Sequence, residues 1–149
     1  MSANLPPIVV TARDHRRLML TAEHLTEQAD PLAAPLMHKL RRATISEPDM
    51  VSEVMVTLDI FVTYRVIGKE GPKTHMLIHP DDRMWAPAEL SVLTPLGLSL
   101  FGLRVGDRAS VVGLCWKRDV CVEVDAIGPQ VIGGIVPVKV EKYNEGRKR

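Results

Sequence analysis

The stretch SVLTPLGLSLFGLRVGDRASV, Ser91 to Val111, joins a strand end, a Thr-Pro turn, a short apolar turn of helix and a Gly-Asp corner. Thr94-Pro95 ends strand pairing, because proline has no backbone N–H to donate to a neighbouring strand. Gly102 and Gly106 permit tight corners, since glycine tolerates backbone conformations that other residues avoid. The stretch therefore predicts a lid over one end of a sheet. Its apolar residues are Leu96, Leu98, Leu100 and Phe101.

Strands are predicted on both sides of this lid. In VMVTLDIFVTYRV, Val54 to Val66, apolar side chains alternate with Thr57, Asp59, Thr63 and Arg65, a period that is typical of a half-buried strand. GKEGPK then supplies a turn and THMLIH an antiparallel partner strand. LSVL predicts a third strand, and RASVVGL and DVCVEVDAI predict a final hairpin around CWKRD.

A helix is predicted near the start of the chain. Thr11 and Asp14 form a variant of the capping box, which places the first helical residue near Ala12. Asp30-Pro31 is expected to end this helix, because the residue before proline is disfavoured in helical conformation.

A second helix is predicted from residue 32 or 35 to residue 45, before Pro48. Both helices have an apolar stripe, and two amphipathic helices joined by a few residues pack as an antiparallel hairpin. The stripe residues are Leu18, Ala22, Leu25, Leu36, Leu40 and Ala43.

Helices followed by a run of strands predict the α+β class with an antiparallel sheet, not a doubly wound sheet. The chain has 149 residues, about one domain's length. We expect three parts: a helical hairpin over residues 1–50, in the form of a short coiled coil that projects as an arm, a sheet domain with one short helix over residues 51–136, and a polar tail over residues 137–149.

Composition narrows the classes of function. The formal net charge of +1 argues against wholesale binding of nucleic acid, so any such contact would be local. No apolar run approaches the about 20 residues that cross a bilayer, and MSANLPPIVV lacks the features of a secretory signal. We therefore expect a cytoplasmic monomer without a membrane partner.

The cysteines and histidines do not predict a metal site. Cys115 and Cys121 lie on opposing arms of the last predicted hairpin, where a disulfide is one alternative and two reduced thiols are what a reducing cytosol favours. His24 and His38 could face each other across the helical hairpin, but a third ligand is missing. We expect no metal, no cofactor and no catalytic residue, since no nucleophile motif or phosphate loop occurs.

The order of these features resembles a known family. In the bacterial Gre transcript-cleavage factors, a Ser-Pro pair opens the same apolar turn and a Gly-Asp pair begins the next strand. Segments similar to members of this family extend over nearly the whole chain. The chain therefore resembles the Gre/Rnk family, in a form whose helical hairpin is shortened. These segments are PPIVVTARDHRRL at 6–18, KLRRATISEPDMVSEVMVTL at 39–58, LIHPDD at 77–82 and SVLTPLG at 91–97.

The resemblance implies an FKBP-like C-terminal domain that binds RNA polymerase at the rim of its secondary channel. Thr94, Pro95, Leu96 and Gly97 are then the candidate contacts with the polymerase. The match has departures: Leu93 replaces the acidic residue that precedes Ser-Pro in some Gre factors, and WKRD replaces their Pro-Gly-Gly corner.

Glu27 and Asp30, near the predicted hairpin tip, resemble the carboxylates with which Gre factors are thought to hold a metal ion in the polymerase active site. The alternative is that they are solvated charges at a helix end. An arm of about seventeen residues spans only about 25 Å, markedly less than the Gre arms. We therefore expect a regulator that does not stimulate transcript cleavage.

A basic root, consisting of Arg16, Arg17, Arg41 and Arg42, is predicted at the base of the hairpin beside Lys39. It could meet RNA or an acidic polymerase surface through charge-assisted contacts, or it could serve solubility alone. Trp85 and Trp116 are expected to cover the ends of the sheet and not to stack on bases.

Three hypotheses of function result. The first is a non-enzymatic transcription regulator that modulates elongation or competes with other factors for the polymerase channel. The second, suggested by the Rnk branch of the family, is a regulator of nucleotide metabolism that acts through another protein. The third is a peptidyl-prolyl isomerase, which needs an aromatic-lined pocket, whereas only 4% of the residues are aromatic.

Overall fold

The computed structural model describes residues 8–46, 55–111 and 120–130. The predicted turn around Cys115 and Trp116, the polar tail and the boundaries proposed near residues 50 and 136 lie outside these ranges. The α+β class is confirmed. The elements are β1 (Val9–Thr11), α1 (Ala12–Glu27), α2 (Ala33–Arg42), β2 (Thr44–Ser46), β3 (Ile60–Val66), β4 (Lys73–Ile78), β5 (Glu89–Ser91), α3 (Pro95–Leu100), β6 (Arg108–Ser110) and β7 (Cys121–Gln130).

Within the described residues the strands form a main sheet, in the order β5-β4-β3-β7-β6, and a small sheet of β1 and β2. β3 runs antiparallel to β4 and β7, and β6 runs antiparallel to β7. β4 and β5 are parallel, with Ile78 opposite Ser91. The prediction of an antiparallel sheet is therefore wrong at this edge, because short 3-10 turns at Pro80–Asp82 and Ala86–Ala88 carry the chain back before it pairs.

The small sheet shortens the second helix. β2 pairs in parallel with β1, with Val9 opposite Thr44, and the Thr44 N–H donates to the Ile8 carbonyl over 3.0 Å. α2 consequently ends at Arg42, and the prediction that the helix continues to Ile45 is wrong. Non-local strand pairing here overrides a local helical pattern.

The sequence predicts the start of α1 correctly, but the helix ends earlier than predicted. Thr11 Oγ1 accepts a hydrogen bond from the Asp14 N–H over 3.1 Å, so the predicted cap and the start at Ala12 are confirmed. The helix ends at Glu27, before Asp30, because Ala29 has a left-handed backbone with a φ of 56°.

The predicted long strand begins only at Ile60, after Asp59 turns the chain with a φ of 66°. From there the alternation is confirmed, since Ile60, Val62 and Tyr64 are buried. Residues 55–58 are instead buried on both sides, and Thr57, which was predicted to face outward, is only 1% exposed. This segment is bonded to other elements, for example through the Val56 N–H and the Leu103 carbonyl.

The lid over the sheet forms as predicted. Thr94 caps α3, its Oγ1 accepting from the Gly97 N–H over 3.0 Å and donating to the Ser91 carbonyl over 2.7 Å. A Cβ at Gly97 would collide with that same Ser91 carbonyl oxygen, so this position requires glycine. Three apolar residues of the lid, Leu98, Leu100 and Phe101, are buried.

The helices and the main sheet contribute to the same hydrophobic cluster. Burial of apolar side chains is the principal stabilising contribution in such a core, at about 25 cal/mol per Å². The helical pair, meaning α1 and α2, is therefore packed as part of the body. The cluster includes Leu18, Ala22, Leu25, Leu36 and Leu40 from the helical pair, with Leu58, Val62, Tyr64, Leu77 and Val124 from the sheet side.

Candidate protein-binding site

The helical pair is antiparallel and ends in a tip, residues 27–32. At its other end, His15 Nε2 donates to the Leu40 carbonyl oxygen over 3.1 Å, which places the first turn of α1 beside the last turns of α2. Glu27 is exposed at the tip. Asp30 Oδ1 accepts a hydrogen bond from the Leu32 N–H over 2.8 Å, so this carboxylate holds the turn that leads into α2.

An ion pair joins α1 to the loop after β4. Arg17 donates from Nη1 to Asp82 Oδ2 over 2.7 Å and from Nη2 to Asp82 Oδ1 over 3.1 Å. This pairing raises the pKa of Arg17 and lowers the pKa of Asp82 below its ordinary value. Both side chains are partly exposed, so the pair orients the helix more than it stabilises the fold.

A chain of hydrogen bonds runs beside this ion pair. The Asp81 N–H donates to His79 Nδ1 over 3.1 Å, His79 Nε2 lies 2.9 Å from Thr21 Oγ1, and the Thr21 hydroxyl donates to the Arg17 carbonyl. The chain requires a neutral ring with its proton on Nε2. Burial lowers the pKa of His79, in agreement with that state.

Asp14 is a buried carboxylate that the sequence identified only as a helix-start residue. It is 1% exposed, and its Oδ2 accepts a hydrogen bond from the Leu58 N–H over 3.1 Å. Burial raises the pKa of Asp14, and the Leu58 N–H and the Arg13 guanidinium oppose that shift. Asp14 therefore connects α1 to the segment that leads into β3.

Lys39 joins α2 to α3. Its Nζ donates to the Leu98 carbonyl over 2.6 Å and to the Ser99 carbonyl over 3.1 Å, at the C-terminal end of α3. Burial, together with the nearby Arg42 charge, lowers the pKa of Lys39 to about 7. The expectation that Lys39 adds to a basic surface is therefore wrong.

The predicted basic root is divided by the fold. Arg16 and Arg41 are exposed, whereas Arg17 is held by Asp82 and Arg42 is half-buried. The turn Thr94–Gly97 is also largely structural, since Thr94 and Gly97 form the cap of α3. Thr94, Pro95 and Leu96 are half-exposed, and Leu96 also packs against the hydrophobic cluster.

Other predicted features lie apart from these contacts. Trp85 is 67% exposed, so the expectation that it covers the end of the sheet is wrong. Its loop is held by Glu89, whose carboxylate accepts from the Met84 and Trp85 N–H groups.

Among residues 8–46, 55–111 and 120–130, the His, Cys, Asp and Glu side chains form no group of three that could hold a metal ion.

None of the helices in the described part of the chain combines the length and the apolarity that a membrane crossing requires.

The described residues form an α+β protein with a mixed sheet, and the root of the short helical pair packs against the sheet domain. No family model matches the chain. The GreA/GreB transcription elongation factor of Nitrosomonas europaea has a similar structure, with a TM-score of 0.64 and 26% identity over 81% of this chain and 98% of that chain. The fold class is therefore that of the GreA/GreB elongation factors.

Curated relatives make the resemblance more specific. The regulator of nucleoside diphosphate kinase from Escherichia coli K12 is 29% identical over 102 residues, which are 68% of this chain and 75% of that protein. The Shigella flexneri protein of the same name matches equally. The resemblance to the Gre/Rnk family is thus confirmed, and this chain is a homologue of Rnk.

Proposed function

We propose that this chain is an RNA polymerase-binding transcription regulator of the Gre/Rnk type. It docks near the secondary channel through the turn Thr94–Gly97, and it modulates elongation or competes with other channel-binding factors. The support is the likeness to a GreA/GreB elongation factor over most of both chains. The relatives are named as a regulator and an elongation factor, and neither name denotes an enzyme.

The helical pair is short and anchored, which bears on whether this regulator stimulates transcript cleavage. α1 has 16 residues, and α2 has 10. Within the described residues, the hydrogen bond from α1 to the sheet domain that lies farthest along the helix is made by Thr21. The helix beyond it is roughly 9 Å long, at 1.5 Å per residue. Such an arm reaches less deeply than a long coiled coil, which argues against stimulation of transcript cleavage.

A cleavage and elongation assay with purified core polymerase tests the role of the tip. The variant combines Glu27→Gln with Asp30→Asn, because the asparagine oxygen can still accept from the Leu32 N–H. We expect the wild type and the variant to alter elongation equally and to cleave no RNA in stalled complexes. Cleavage that depends on the intact tip would show that the argument from arm length is wrong.

A binding experiment tests the docking turn. Deleting residues 91–106 would remove buried core residues such as Leu98 and Phe101, so a surface substitution is more informative. Leu96 also packs against the hydrophobic cluster, so Pro95 is the better site. We expect Pro95→Glu to weaken binding to core polymerase by about tenfold or more, because a carboxylate is desolvated at the interface. Val105→Glu is the matched control, since Val105 is 42% exposed outside the turn. No measurable binding by the wild type would refute the proposal.

A second candidate is a regulator of nucleotide metabolism that acts through another protein. The relatives are named as regulators of nucleoside diphosphate kinase, which favours this candidate. The measurement is the activity of purified nucleoside diphosphate kinase with and without this protein. A dose-dependent change in activity would support this candidate over the first.

The same proposal includes five further features of the chain. They are a domain division at residues 50 and 136, an FKBP-like sheet domain, a monomeric state, a cytoplasmic location and local contact with nucleic acid. Sedimentation of the purified protein tests the monomer. Salt-dependent binding of a single-stranded RNA oligonucleotide tests the nucleic-acid contact.

A further inference from the structure

A groove lies between α1 and β2, and no residue of the turn Thr94–Gly97 lines it. Its volume is about 580 Å³. Leu20 and Ile45 are 64% and 51% exposed, which is unusual for large apolar side chains in adjacent elements. The groove is lined by Ala12, His15, Arg16, Met19, Leu20 and Ile45.

Ile45, which lines the groove, belongs to β2, a strand with one edge that is unpaired within the described residues. β2 pairs with β1 on one side, and within residues 8–46, 55–111 and 120–130 no strand pairs with its other side. β1 is covered on its own outer side, where the Val9 N–H donates to the Gly102 carbonyl over 3.4 Å. An open edge offers backbone N–H and carbonyl groups to an added strand.

The charge of the groove indicates which kind of segment it would bind. His15 and Arg16 line it, and none of the six lining residues is acidic. His15 is occupied by the Leu40 carbonyl, whereas Arg16 forms no ion pair with any residue in the described ranges. An exposed guanidinium at the wall of an apolar groove favours a carboxylate beside an apolar side chain.

We propose that this groove binds an extended acidic segment of a protein partner, which adds as a strand to the edge of β2. An apolar side chain of the segment packs between Leu20 and Ile45, and a carboxylate two residues away, on the same face of the added strand, pairs with Arg16. RNA is disfavoured, because four of the six lining residues are apolar and Arg16 is the lining arginine that would meet phosphate. The inference goes beyond the proposed function and does not require the polymerase to be the partner.

Titration with synthetic peptides tests the groove directly. The probe is the acetylated octapeptide Asp-Thr-Val-Thr-Asp-Thr-Val-Thr, whose aspartates and valines lie on the same face of a strand. Binding is followed by amide NMR shifts of the full chain. We expect saturable shifts at Arg16, Leu20 and residues 44–46. The same octapeptide with lysine in place of aspartate should produce no saturable shift, and a central proline should abolish binding because it interrupts strand pairing.

Surface substitutions test which side chains of the groove contribute to binding of the acidic peptide. Arg16→Gln should weaken binding of the acidic peptide by about tenfold, through loss of the charge-assisted hydrogen bond. Arg41→Gln removes the same charge from an exposed position outside the groove and should leave binding unchanged. Leu20→Ser should also weaken binding, whereas Ile67→Ser, at a residue 43% exposed elsewhere, should not. All four positions are exposed, so folding is expected to be preserved.

Three outcomes would overturn the proposal. They are the absence of saturable shifts at millimolar acidic peptide, equal binding of the lysine peptide, and displacement of the acidic peptide by a single-stranded RNA oligonucleotide with shifts at the same residues. Because the probe is a peptide, failure here leaves the polymerase-binding experiment unaffected.

Discussion

Asp14 illustrates how one residue serves two levels of structure. Its backbone N–H is bonded by Thr11, which starts α1, and its carboxylate accepts from the Leu58 N–H, which fixes the approach to β3. The sequence indicates the first role, because a carboxylate is favoured in the first helical turn. The second role joins residues 44 positions apart and could not be inferred from local spacing.

The substitution Asp14→Ala should lower the free energy of unfolding by about 1–3 kcal/mol, because it removes a buried acceptor from the Leu58 N–H. Asp14→Asn should lower it less, since the amide oxygen can still accept. Urea denaturation measures the difference, with Glu23→Ala, at an exposed site on the same helix, as the control. Equal stability of Asp14→Ala and wild type would contradict the role of this hydrogen bond.

At the scale of elements, local patterns predicted the parts that local forces determine. The cap of α1, the Thr94-Pro95 start of α3 and the alternation from Ile60 to Val66 all depend on neighbours within a few residues. β2 escaped prediction because it pairs with β1, a strand that is distant in sequence. The parallel pairing of β5 escaped prediction because it depends on how the 3-10 turns after β4 carry the chain back. Arg17 and Lys39 looked like surface charges because their partners lie 59 to 65 residues away.

The Lys39 contact between α2 and α3 predicts a pH dependence. The folded pKa of Lys39, about 7, is below its ordinary value of 10.5. The unfolded chain therefore binds the proton more readily, and the free energy of unfolding should rise as the pH increases from 7 to 10.5 and lose this contribution as the pH falls back to 7.

The measurement is the difference in unfolding free energy between wild type and Lys39→Met across that pH range. The difference should change by on the order of a few kcal/mol, in the direction of a more stable wild type at high pH. Lys69→Met, at an exposed lysine, should show no such change. A pH-independent difference for Lys39→Met would mean that Lys39 is not desolvated.

At the scale of the whole molecule, side chains bond the helical pair to the body at four places within the described residues. They are the Arg13–Asp59 ion pair, the Asp14 carboxylate, the Arg17–Asp82 and Thr21–His79 contacts, and the Lys39 ammonium. The shared hydrophobic cluster adds to them. The sequence predicted the pair but placed it as a projecting arm, because amphipathic stripes indicate which face is buried and not what covers it.

A double-mutant cycle of Arg17→Ala and Asp82→Ala tests the ion pair. Since both side chains are more than a third exposed, the coupling energy should be below about 1 kcal/mol. Hydrogen exchange at the α1 amides should nevertheless accelerate in either variant, because the pair orients the helix on the body. A coupling of several kcal/mol, or unchanged exchange, would contradict this division of roles.

The separation between the bonded root and the tip at residues 27–32 has an evolutionary consequence. Helical turns can be inserted in matched numbers beyond Thr21 and before Lys39 without disturbing the residues that attach the pair to the sheet. A graded series of such insertions would therefore vary the length of the helical pair alone, while the residues that hold it on the sheet domain stay the same.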